Sequence, residues 1–316
     1  MEEGIVIKST GIWYQVQRPD GSSLPCRIIG KFKLAGMKLT NPVAVGDKVG
    51  FELEDEEEET GTIKKIFPRE NYVARQSPRN KHHLHLLASN VDQAVIIMTI
   101  VQPNLKQGFI DRFLLMTEPQ NIPAYIIFNK ADLYNEADLE VYAILKDIYE
   151  SIGYGVLLTS ATEDTGIEEF KALLKDKSSL VCGQSGVGKS TLINAVQPGM
   201  GLRTEEISDY SGKGQHTTTF AEMFTLNFGG FIIDSPGIKM LGFNNLEPMD
   251  VAHNFREIFE ASKECKFHDC THRNEPKCAV KASLETGEIS ELRYFNYITI
   301  IEEIENQNYW ERNKEM

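Results

Sequence analysis

Hydrophobic and polar positions follow two different patterns along the chain, and the pattern changes near residue 90. Before that point, short β-prone runs are separated by turns at Gly11, at residues 19–21 and at Gly30. Short strands at this spacing fit a small closed barrel of the OB type, which often binds RNA, and an SH3-like barrel fits nearly as well. The predicted strands cover residues 5–7, 12–16, 26–29 and 51–53, and a last one opens at Gly61.

After residue 90, buried strand-like runs alternate with amphipathic helical stretches. This alternation is typical of a parallel α/β sheet whose strands are joined by crossover helices. Two adjacent strands, over residues 220–228 and 230–234, are predicted to end the alternation. The other predicted strands cover residues 94–100, 124–128, 155–159 and 179–182, and the predicted helices cover residues 109–117, 139–152 and 167–174.

Length and composition indicate a multidomain protein without membrane spans. The chain has 316 residues, a mass of 35.7 kDa and 41% apolar residues, which suits two or three domains with cores of their own. Its longest apolar runs are far too short to cross a bilayer, and its acidic start lacks the basic and apolar regions of a signal peptide. We therefore expect a cytoplasmic protein with no membrane partner.

The formal net charge of −13 argues against a protein that coats nucleic acid indiscriminately. Residues 54–59 are all acidic, and this run is most simply a solvated loop. The basic stretch after it is the best RNA-facing candidate in the first half of the chain, although a solvated surface loop explains its charges equally well. Its residues are Lys64, Lys65, Arg69, Arg75, Arg79 and Lys81, with His82, His83 and His85.

A GxxxxGKS motif at residues 183–190 stands between a predicted strand and a predicted helix start. In this geometry, backbone N–H groups wrap the phosphates of a nucleoside triphosphate and the helix N-terminus faces them. The glycines let the backbone approach, Lys189 reaches the outer phosphates, and the Ser190 hydroxyl ligates Mg²⁺. The predicted phosphate-binding residues are Gly183, Gln184, Ser185, Gly186, Val187, Gly188, Lys189, Ser190 and Thr191.

The sequence Asn129-Lys130-Ala131-Asp132, directly after a predicted buried strand, indicates that the base is guanine. The Asp132 carboxylate can accept hydrogen bonds from guanine N1–H and from its exocyclic amine, which adenine does not offer, while Lys130 can lie along the ring. Ser160 and Ala161, after the next predicted strand, would complete the base pocket with backbone donors. Four-residue matches of this kind also occur in ordinary surface turns, so the preceding strand gives this one its weight.

Two further segments have the composition of nucleotide switches. Asp234 ends a predicted apolar strand and would hold Mg²⁺ through a water, and the Gly237 amide would sense the γ-phosphate. Residues 212–219 are rich in glycine and hydroxyl groups, and Thr217 or Thr218 is expected to close onto the metal.

These motifs occur in the reverse of the order found in an ordinary GTPase, because the base-reading segment precedes the phosphate loop. If both segments serve one pocket, the chain enters the nucleotide domain at its base-reading half and leaves it at its switch half. Whatever follows the second switch is then covalently tied to it.

Three of the five cysteines, Cys265, Cys270 and Cys278, crowd together beside His268 and His272. Three thiolates and one imidazole suit a tetrahedral Zn²⁺ in a closed structural site. A chance group of reduced cysteines is the alternative.

Two other features of the sequence are expected to be structural. Cys26 and Cys182 lie in apolar strand-like runs and are expected to be buried free thiols. An apolar helical stripe near the end of the chain is expected to pack into a core. The stripe consists of Leu292, Phe295, Ile298 and Ile301.

The succession of motifs resembles the circularly permuted GTPases of the RsgA (YjeQ) family, which act on the small ribosomal subunit. The resemblance rests on NKAD, TSA, GQSGVGKS, HTTT and DSPG in this order, with a barrel before them and a Cys/His cluster after them. It covers nearly the whole chain, including residues 89–93, 109–113 and 265–280.

We accordingly expect an OB-type β-barrel over residues 1–70, a circularly permuted α/β P-loop GTPase domain over 71–245, and a C-terminal α-helical zinc-binding domain over 246–316. The resemblance implies a ribosome-stimulated GTPase that binds the small subunit through its rRNA and assists its late maturation. It would leave the subunit when GTP is hydrolysed to GDP and phosphate. The implied cofactors are GTP or GDP, Mg²⁺ and one structural Zn²⁺, and we expect a monomer. The implied zinc ligands are Cys265, Cys270, His272 and Cys278, with His272 favoured over His268.

Catalysis is the least explicit part of the sequence. Ile238 stands where Ras-like enzymes carry the glutamine that orients water, so slow intrinsic hydrolysis is expected. The resemblance makes His216 the candidate water-positioning group, although a surface histidine without a catalytic role fits as well. Gly186 stands where potassium-dependent relatives carry Asn, so the sequence does not support a required monovalent cation.

Two alternatives stay open at this point. The first is a GTPase that acts off the ribosome, for example in signalling or tRNA modification, and it predicts no association with the small subunit. The second is an RNA-binding module in which the barrel and the zinc loop do the work and the nucleotide is structural. It predicts an RNA affinity that is the same with GTP and with GDP.

Overall fold

Five strands in the described part of residues 1–66 close into a barrel. The structure, a computed structural model, describes residues 1–28, 39–55, 59–76, 83–200, 221–235 and 246–312. The strands are β1 (Glu2–Ser9), β2 (Trp13–Gln17), β3 (Ser23–Ile28), β4 (Lys48–Asp55) and β5 (Thr60–Ile66). They pair in the order β1-β2-β3-β5-β4, with β4 returning to β1 and a parallel pair between β3 and β5. This closed barrel confirms the OB-type prediction.

Alternating side chains fill the barrel, because successive residues of a strand point to opposite faces. Val6, Val16, Phe51 and Ile63 are fully buried inside it. Cys26 is buried among them, and this burial raises the pKa of its thiol to about 12. The thiol is therefore a neutral core group, as the sequence predicts.

A hairpin follows the barrel and consists of β6 (Tyr72–Gln76) and β7 (Leu84–Ser89). The Arg69 guanidinium, just before it, is only 8% exposed and donates to both oxygens of the buried Asp47 carboxylate at 2.7 Å. The Ser89 hydroxyl donates to the same carboxylate at 2.6 Å. Arg69 thus joins the barrel to the hairpin, and its expected RNA-facing role is wrong. Arg79, Lys81, His82 and residues 56–58 lie outside the described residues.

The second half of the chain forms an α/β sheet. Its strands are β8 (Gln93–Met98), β9 (Ala124–Phe128), β10 (Gly155–Leu158), β11 (Ser178–Gly183), β12 (Glu222–Thr225) and β13 (Phe231–Asp234). They lie in the order β10-β9-β8-β11-β13-β12, and all adjacent pairs are parallel except β12 with β13. The carboxyl ends of the five parallel strands consequently meet at one edge of the sheet.

Among the residues that the structure describes, four α-helices cover the two faces of this sheet. They are α1 (Gly108–Thr117), α2 (Glu136–Ser151), α3 (Ile167–Leu174) and α4 (Lys189–Val196). Side chains of α1 and α2 share one core with Ile96 and Ile126, and those of α3 and α4 share another with Val95 and Ile127. Because neighbouring strand residues serve opposite cores, both faces are buried, as expected for a parallel sheet.

The barrel and the α/β sheet form one continuous sheet. Strand β1 pairs with β12 at Lys8 and Glu222, and the two side chains form an ion pair at 2.9 Å. Strand β12 directly follows residues 201–220, which lie outside the described residues. The barrel is therefore attached to the strand that leaves the predicted first switch.

Residues 246–312, the last described range, contain four helices: α5 (Pro248–Asn254), α6 (Arg256–Ser262), α7 (Ala279–Glu285) and α8 (Glu291–Arg312). Val251, Phe255 and Tyr297 of this region belong to the same core as Ile110 and Phe113 of α1. The helical region is thus packed directly on the α/β domain. No helix in the described ranges combines the length and the apolar character that a bilayer span requires.

A buried charge network joins the helical region to the α/β domain. The Arg293 guanidinium of α8 is 1% exposed and donates to Asp111 of α1 at 2.5 Å and to Glu257 of α6 at 2.7 Å. The Tyr149 hydroxyl of α2 donates to the same Asp111 oxygen at 2.7 Å. The Asp111 carboxylate therefore links α1, α2 and α8.

The apolar stripe on α8 is only partly in the core. Ile301 is fully buried and Ile298 half-buried, as predicted, but Leu292 is 36% exposed and Phe295 is 68% exposed. The buried face of α8 instead includes Arg293, which the charge network draws inward. The expectation of core packing is therefore wrong for Leu292 and Phe295.

Candidate functional site

The predicted nucleotide motifs meet at the carboxyl edge of the parallel sheet. Each follows one of four strands directly: the base-reading segments follow β9 and β10, the phosphate loop follows β11, and Asp234 ends β13. In open α/β sheets, ligands bind outside the carboxyl ends of the strands. The reversed order of the motifs therefore does not separate them in space.

The phosphate loop takes the conformation that its glycines permit. Gly186 and Gly188 both have a φ of +85°, a left-handed conformation that costs glycine little. A Cβ atom on Gly188 would lie 2.5 Å from Asn129 Nδ2, so a larger residue would collide with the base-reading segment. Ser190 and Thr191 follow Lys189 in the first turn of α4, where backbone N–H groups remain available for phosphate oxygens.

Asn129 connects the phosphate loop to both base-reading segments. Its side-chain amide is 1% exposed and donates to the Val187 carbonyl oxygen at 3.0 Å. The Thr159 hydroxyl donates to Asn129 Oδ1 at 3.1 Å. Segments that follow β9, β10 and β11 are thus joined at one side chain, which makes them parts of a single pocket.

The predicted base-reading residues also contact one another. The Ser160 hydroxyl donates to Asp132 Oδ1 at 2.5 Å and so orients the carboxylate. The Ser160 backbone N–H donates to the Thr165 carbonyl oxygen at 2.9 Å, so this amide is not the base donor that the sequence suggested. Ala161 is half-buried beside it and packs against the core of α3 and α4.

Lys130 lies at the rim of the pocket. It has a φ of +68°, and its ammonium group donates to the Gln102 carbonyl oxygen at 2.5 Å. Partial burial lowers the pKa of Lys130, and the charge of Asp132 opposes this shift. Gln102 carries no signal in the sequence, because a carbonyl partner can belong to any residue.

Lys189 and Asp234 approach each other at the phosphate end of the pocket. The Lys189 ammonium donates directly to the Asp234 carboxylate, which is 6% exposed. Behind them, the Cys182 thiol contacts the Ser235 hydroxyl at 3.1 Å, and burial raises the pKa of this thiol to about 12. The structure therefore brings together the predicted triphosphate ligand and the predicted Mg²⁺ ligand of the second switch. Predicted site residues His216, Thr218 and Gly237 lie outside the described residues, as do Thr217 and Ile238.

The cysteine and histidine cluster lies between α6 and α7. The ligand atoms of Cys265, Cys270, His272 and Cys278 all lie within 4.8 Å of one another. The Cys265 and Cys278 sulfurs are 3.9 Å apart, and His272 Nδ1 is 3.7 Å and 3.4 Å from them. A tetrahedral Zn²⁺ with ordinary bond lengths requires S–S edges of about 3.8 Å and S–N edges of about 3.5 Å. This donor set therefore fits zinc.

Surrounding groups fix the geometry of this cluster. Burial raises the pKa of the Cys270 and Cys278 thiols, so thiolates at these positions require a cation nearby. The Glu275 carboxylate accepts from the Thr271 amide at 2.8 Å and from its hydroxyl at 2.6 Å. The Tyr294 hydroxyl of α8 donates to the His272 carbonyl oxygen at 2.6 Å. The loop is thus shaped by its own hydrogen bonds and by α8.

Two groups of site residues were missed by sequence reasoning. The Tyr134 hydroxyl donates to the Asn129 carbonyl oxygen at 2.8 Å and accepts from the Ile100 amide at 2.9 Å. Its position two residues after Asp132 was the available signal. The buried pair of Asp111 and Arg293 was not predicted, because nothing in either helix marks the partner on the other.

Comparison with known proteins identifies the family. The profile of the RsgA GTPase family matches residues 66–244, and that of the RsgA N-terminal domain matches residues 3–63. The chain belongs to the RsgA family of GTPases. Its nucleotide site is therefore a GTPase site, in agreement with the geometry of the pocket.

Relatives of known sequence and structure cover nearly the whole chain. The small ribosomal subunit biogenesis GTPase RsgA of Flavobacterium psychrophilum is 48% identical over 95% of this chain and 92% of its own. The protein of the same name from Christiangramia forsetii is 47% identical over 97% and 98%. YjeQ from Thermotoga maritima superimposes with a TM-score of 0.76 and 35% identity, over 96% and 98%. YloQ, a circularly permuted GTPase, has a TM-score of 0.72 and 31% identity, over 97% and 96%.

The contact between Gly188 and Asn129 predicts how a methyl group at position 188 affects GTP binding. We expect Gly188→Ala to weaken GTP binding at least about tenfold, because its Cβ displaces Asn129 from the phosphate loop. Gly199→Ala is the matched control, since Gly199 has a similar φ of +90° and nothing within 4 Å of its Cβ position. Titration with a fluorescent GTP analogue measures both. Equal affinities of the two variants would show that the contact is unimportant.

Proposed function

We propose that this GTPase binds the small ribosomal subunit and assists its late maturation, while hydrolysing GTP to GDP and phosphate. The GTPase part of this proposal is supported by the Asn129 side chain, which joins the base-reading segments to the phosphate loop. The ribosomal part is supported by the names of relatives that are 48% and 47% identical over nearly the whole chain.

We assign the nucleotide contacts to residues of the pocket. Asp132 accepts from guanine N1–H and from the exocyclic amine, and the Ser160 hydroxyl holds its carboxylate in place. The Ala161 amide is the backbone donor to the base. Lys130 lies along the purine ring, and Lys189 binds the outer phosphates. The backbone of residues 183–188 and the first turn of α4, including Thr191, surround the phosphate chain.

Hydrolysis requires Mg²⁺ and an ordered water at the phosphate end of the pocket. The Ser190 hydroxyl and, through a water, Asp234 are suited to hold Mg²⁺, which neutralises charge on the phosphates. A water oxygen attacks the γ-phosphorus while the bond to the β–γ bridging oxygen breaks, and the water proton ends on phosphate. For His216 as the water-positioning group, for Thr218 as the residue that closes onto Mg²⁺ and for Gly237 as the γ-phosphate sensor, the support is the sequence pattern alone.

The Cys265, Cys270, His272 and Cys278 cluster is proposed to hold one structural Zn²⁺. All four tetrahedral positions come from the protein, so the ion has no open position for substrate. Bound there, it would fix the loop that α8 contacts through Tyr294.

We propose three functional units in one monomeric chain: the barrel over residues 1–70, the GTPase domain over 71–245 and the zinc-binding helical domain over 246–316. The barrel and the zinc-binding domain would bind rRNA of the small subunit in the cytoplasm. GTP would order the switch segments, and its hydrolysis would release the barrel and the zinc-binding domain from rRNA. The ion pair of Lys8 with Glu222 supports a direct link from the first switch to the barrel.

Base selection by Asp132 predicts a change of nucleotide. We expect Asp132→Asn to lower kcat/KM for GTP about 100-fold, because two charge-assisted hydrogen bonds to guanine are lost. The same variant should gain activity on xanthosine triphosphate, whose C2 carbonyl accepts from the new amide. Asp138→Asn is the control, because Asp138 caps α2 and does not face the base. If Asp132→Asn still prefers GTP, the assignment of the base pocket is wrong.

Zinc binding is tested by elemental analysis of the purified protein. We expect one zinc per chain in the wild type and a loss of zinc in Cys278→Ser, since three remaining ligands hold the ion less tightly. Cys26→Ser replaces a buried thiol of the barrel, and this variant should retain one zinc per chain. Wild-type protein without zinc, or full occupancy in Cys278→Ser, contradicts the assignment.

The ribosomal role predicts that subunits stimulate hydrolysis. Without subunits, turnover should be slow, because Ile238 replaces the water-orienting glutamine. Purified small subunits should raise the rate at least about tenfold, a decrease of about 1.4 kcal/mol in the barrier. Large subunits serve as the control. A rate that small subunits leave unchanged would remove the ribosomal part of the proposal and leave the GTPase part intact.

A further inference from the structure

An open apolar groove runs between α2 on one side and α7 and α8 on the other. It encloses about 770 Å³, and none of its lining residues is a predicted nucleotide or zinc ligand. We call it the α2–α8 groove. Its apolar walls consist of Ile144, Ile148, Leu284, Leu292, Phe295 and Ile298.

The groove exposes more apolar surface than scattered surface residues account for. Phe295 is 68% exposed and Ile144 is 60% exposed, on opposite walls. Val141, one helical turn before Ile144, is 40% exposed and extends the same stripe. Single exposed apolar residues are normal, but a concave patch of them marks an interaction site.

Both walls of the groove are held in place from behind. Tyr149 of α2 and Arg293 of α8 are fully buried and bind the same Asp111 oxygen, at 2.7 Å and 2.5 Å. The spacing of α2 and α8 is therefore set by one carboxylate, and the groove exists without a partner. A partner that enters a preformed groove loses less of its binding free energy to reorganisation.

The charges near the groove are mostly acidic. Glu291 lines it, and Glu140 and Asp147 stand one helical turn from Ile144 on α2. On α8, Glu302 stands one turn beyond Ile298, and on α7 a single basic residue, Lys281, stands one turn before Leu284. Apolar walls with an acidic rim repel nucleic acid, anionic lipid and a second copy of a chain with a net charge of −13.

We propose that the α2–α8 groove binds a basic amphipathic helix of a small-subunit protein. The proposal rests on the proposed ribosomal function, which supplies partners rich in Lys and Arg. An amphipathic helix places apolar residues at positions i, i+3 or i+4, and i+7 into such a groove. The stripe from Val141 to Ile148 spans about 10 Å, which matches two turns of that helix. Its basic face would meet Glu140, Asp147 and Glu291.

The test compares binding to intact small subunits with binding to their protein-free rRNA. We expect Ile144→Glu and Phe295→Glu, in the full chain with a non-hydrolysable GTP analogue, to raise Kd for intact subunits at least about tenfold. Their Kd for the GTP analogue and for protein-free rRNA should stay unchanged. Leu139→Glu is the matched control, because Leu139 is 43% exposed on the same helix but points away from the stripe.

A second variant tests the contribution of the acidic residues beside the groove. We expect the double variant Glu140→Gln and Asp147→Asn to bind intact subunits more weakly at low salt and to approach the wild type at high salt, because salt screens exposed charges.

Three results would overturn the proposal. Groove variants that bind subunits as the wild type does would show that the groove is not in contact. An equal loss of affinity for protein-free rRNA would make the groove an RNA site. A wild-type dimer in analytical ultracentrifugation that Phe295→Glu dissociates would make the occupant a second copy. Wild-type protein that fails to bind subunits at all would instead overturn the ribosomal function itself.

Discussion

The Asn129 side chain joins two segments that lie 58 residues apart in the chain, and it is buried where it does so. Leaving either of its polar atoms without a partner there would cost about 1–3 kcal/mol, so the Val187 carbonyl and the Thr159 hydroxyl are held to it. Sheet order makes this contact possible, since β8 lies between β9 and β11 and brings both strand ends to one edge. The permuted order of motifs therefore leaves the pocket intact and changes only which parts of the protein are attached to its ends.

Two buried carboxylates hold the barrel and the helical region in place. Asp47 fixes the barrel through Arg69 and Ser89, and Asp111 fixes the helical region through Arg293. Buried ion pairs of this kind add little net stability, but breaking one by removing a partner costs about 3–5 kcal/mol, so they resist displacement. Any displacement of the zinc-binding region by the second switch would have to act against the contact of Arg293 with Asp111 of α1. The contact of Arg293 with Asp111 connects the zinc-binding region to α1 and α2 of the GTPase domain. This connection does not pass through the second switch.

Much of the fold could be predicted from the sequence because local patterns and tertiary structure agree there. The strand at 124–128 and the helix at 167–174 were predicted with their observed bounds. The strand predicted over 220–228 is shorter, since a turn closes with Leu226 donating to Gly230. The phosphate loop, the base-reading segment and the zinc ligands each carry their own spacing signal. The burial of Arg69, Asp111 and Arg293 has no such signal in the sequence. A charged residue is expected to be exposed until its partner from a distant segment is known. The exposure of Phe295 escaped prediction for the same reason, since the inward turn of Arg293 sets which face of α8 is buried.

The central claim is that two segments in reversed order form one guanine nucleotide site. A crystal structure with a non-hydrolysable GTP analogue and Mg²⁺ tests it most directly. We expect both Asp132 carboxylate oxygens within about 3 Å of the guanine N1 and exocyclic amine, with the Lys189 ammonium on the phosphates of the same molecule. A structure in which Lys189 binds the phosphates while the purine lies away from Asp132 would contradict the account.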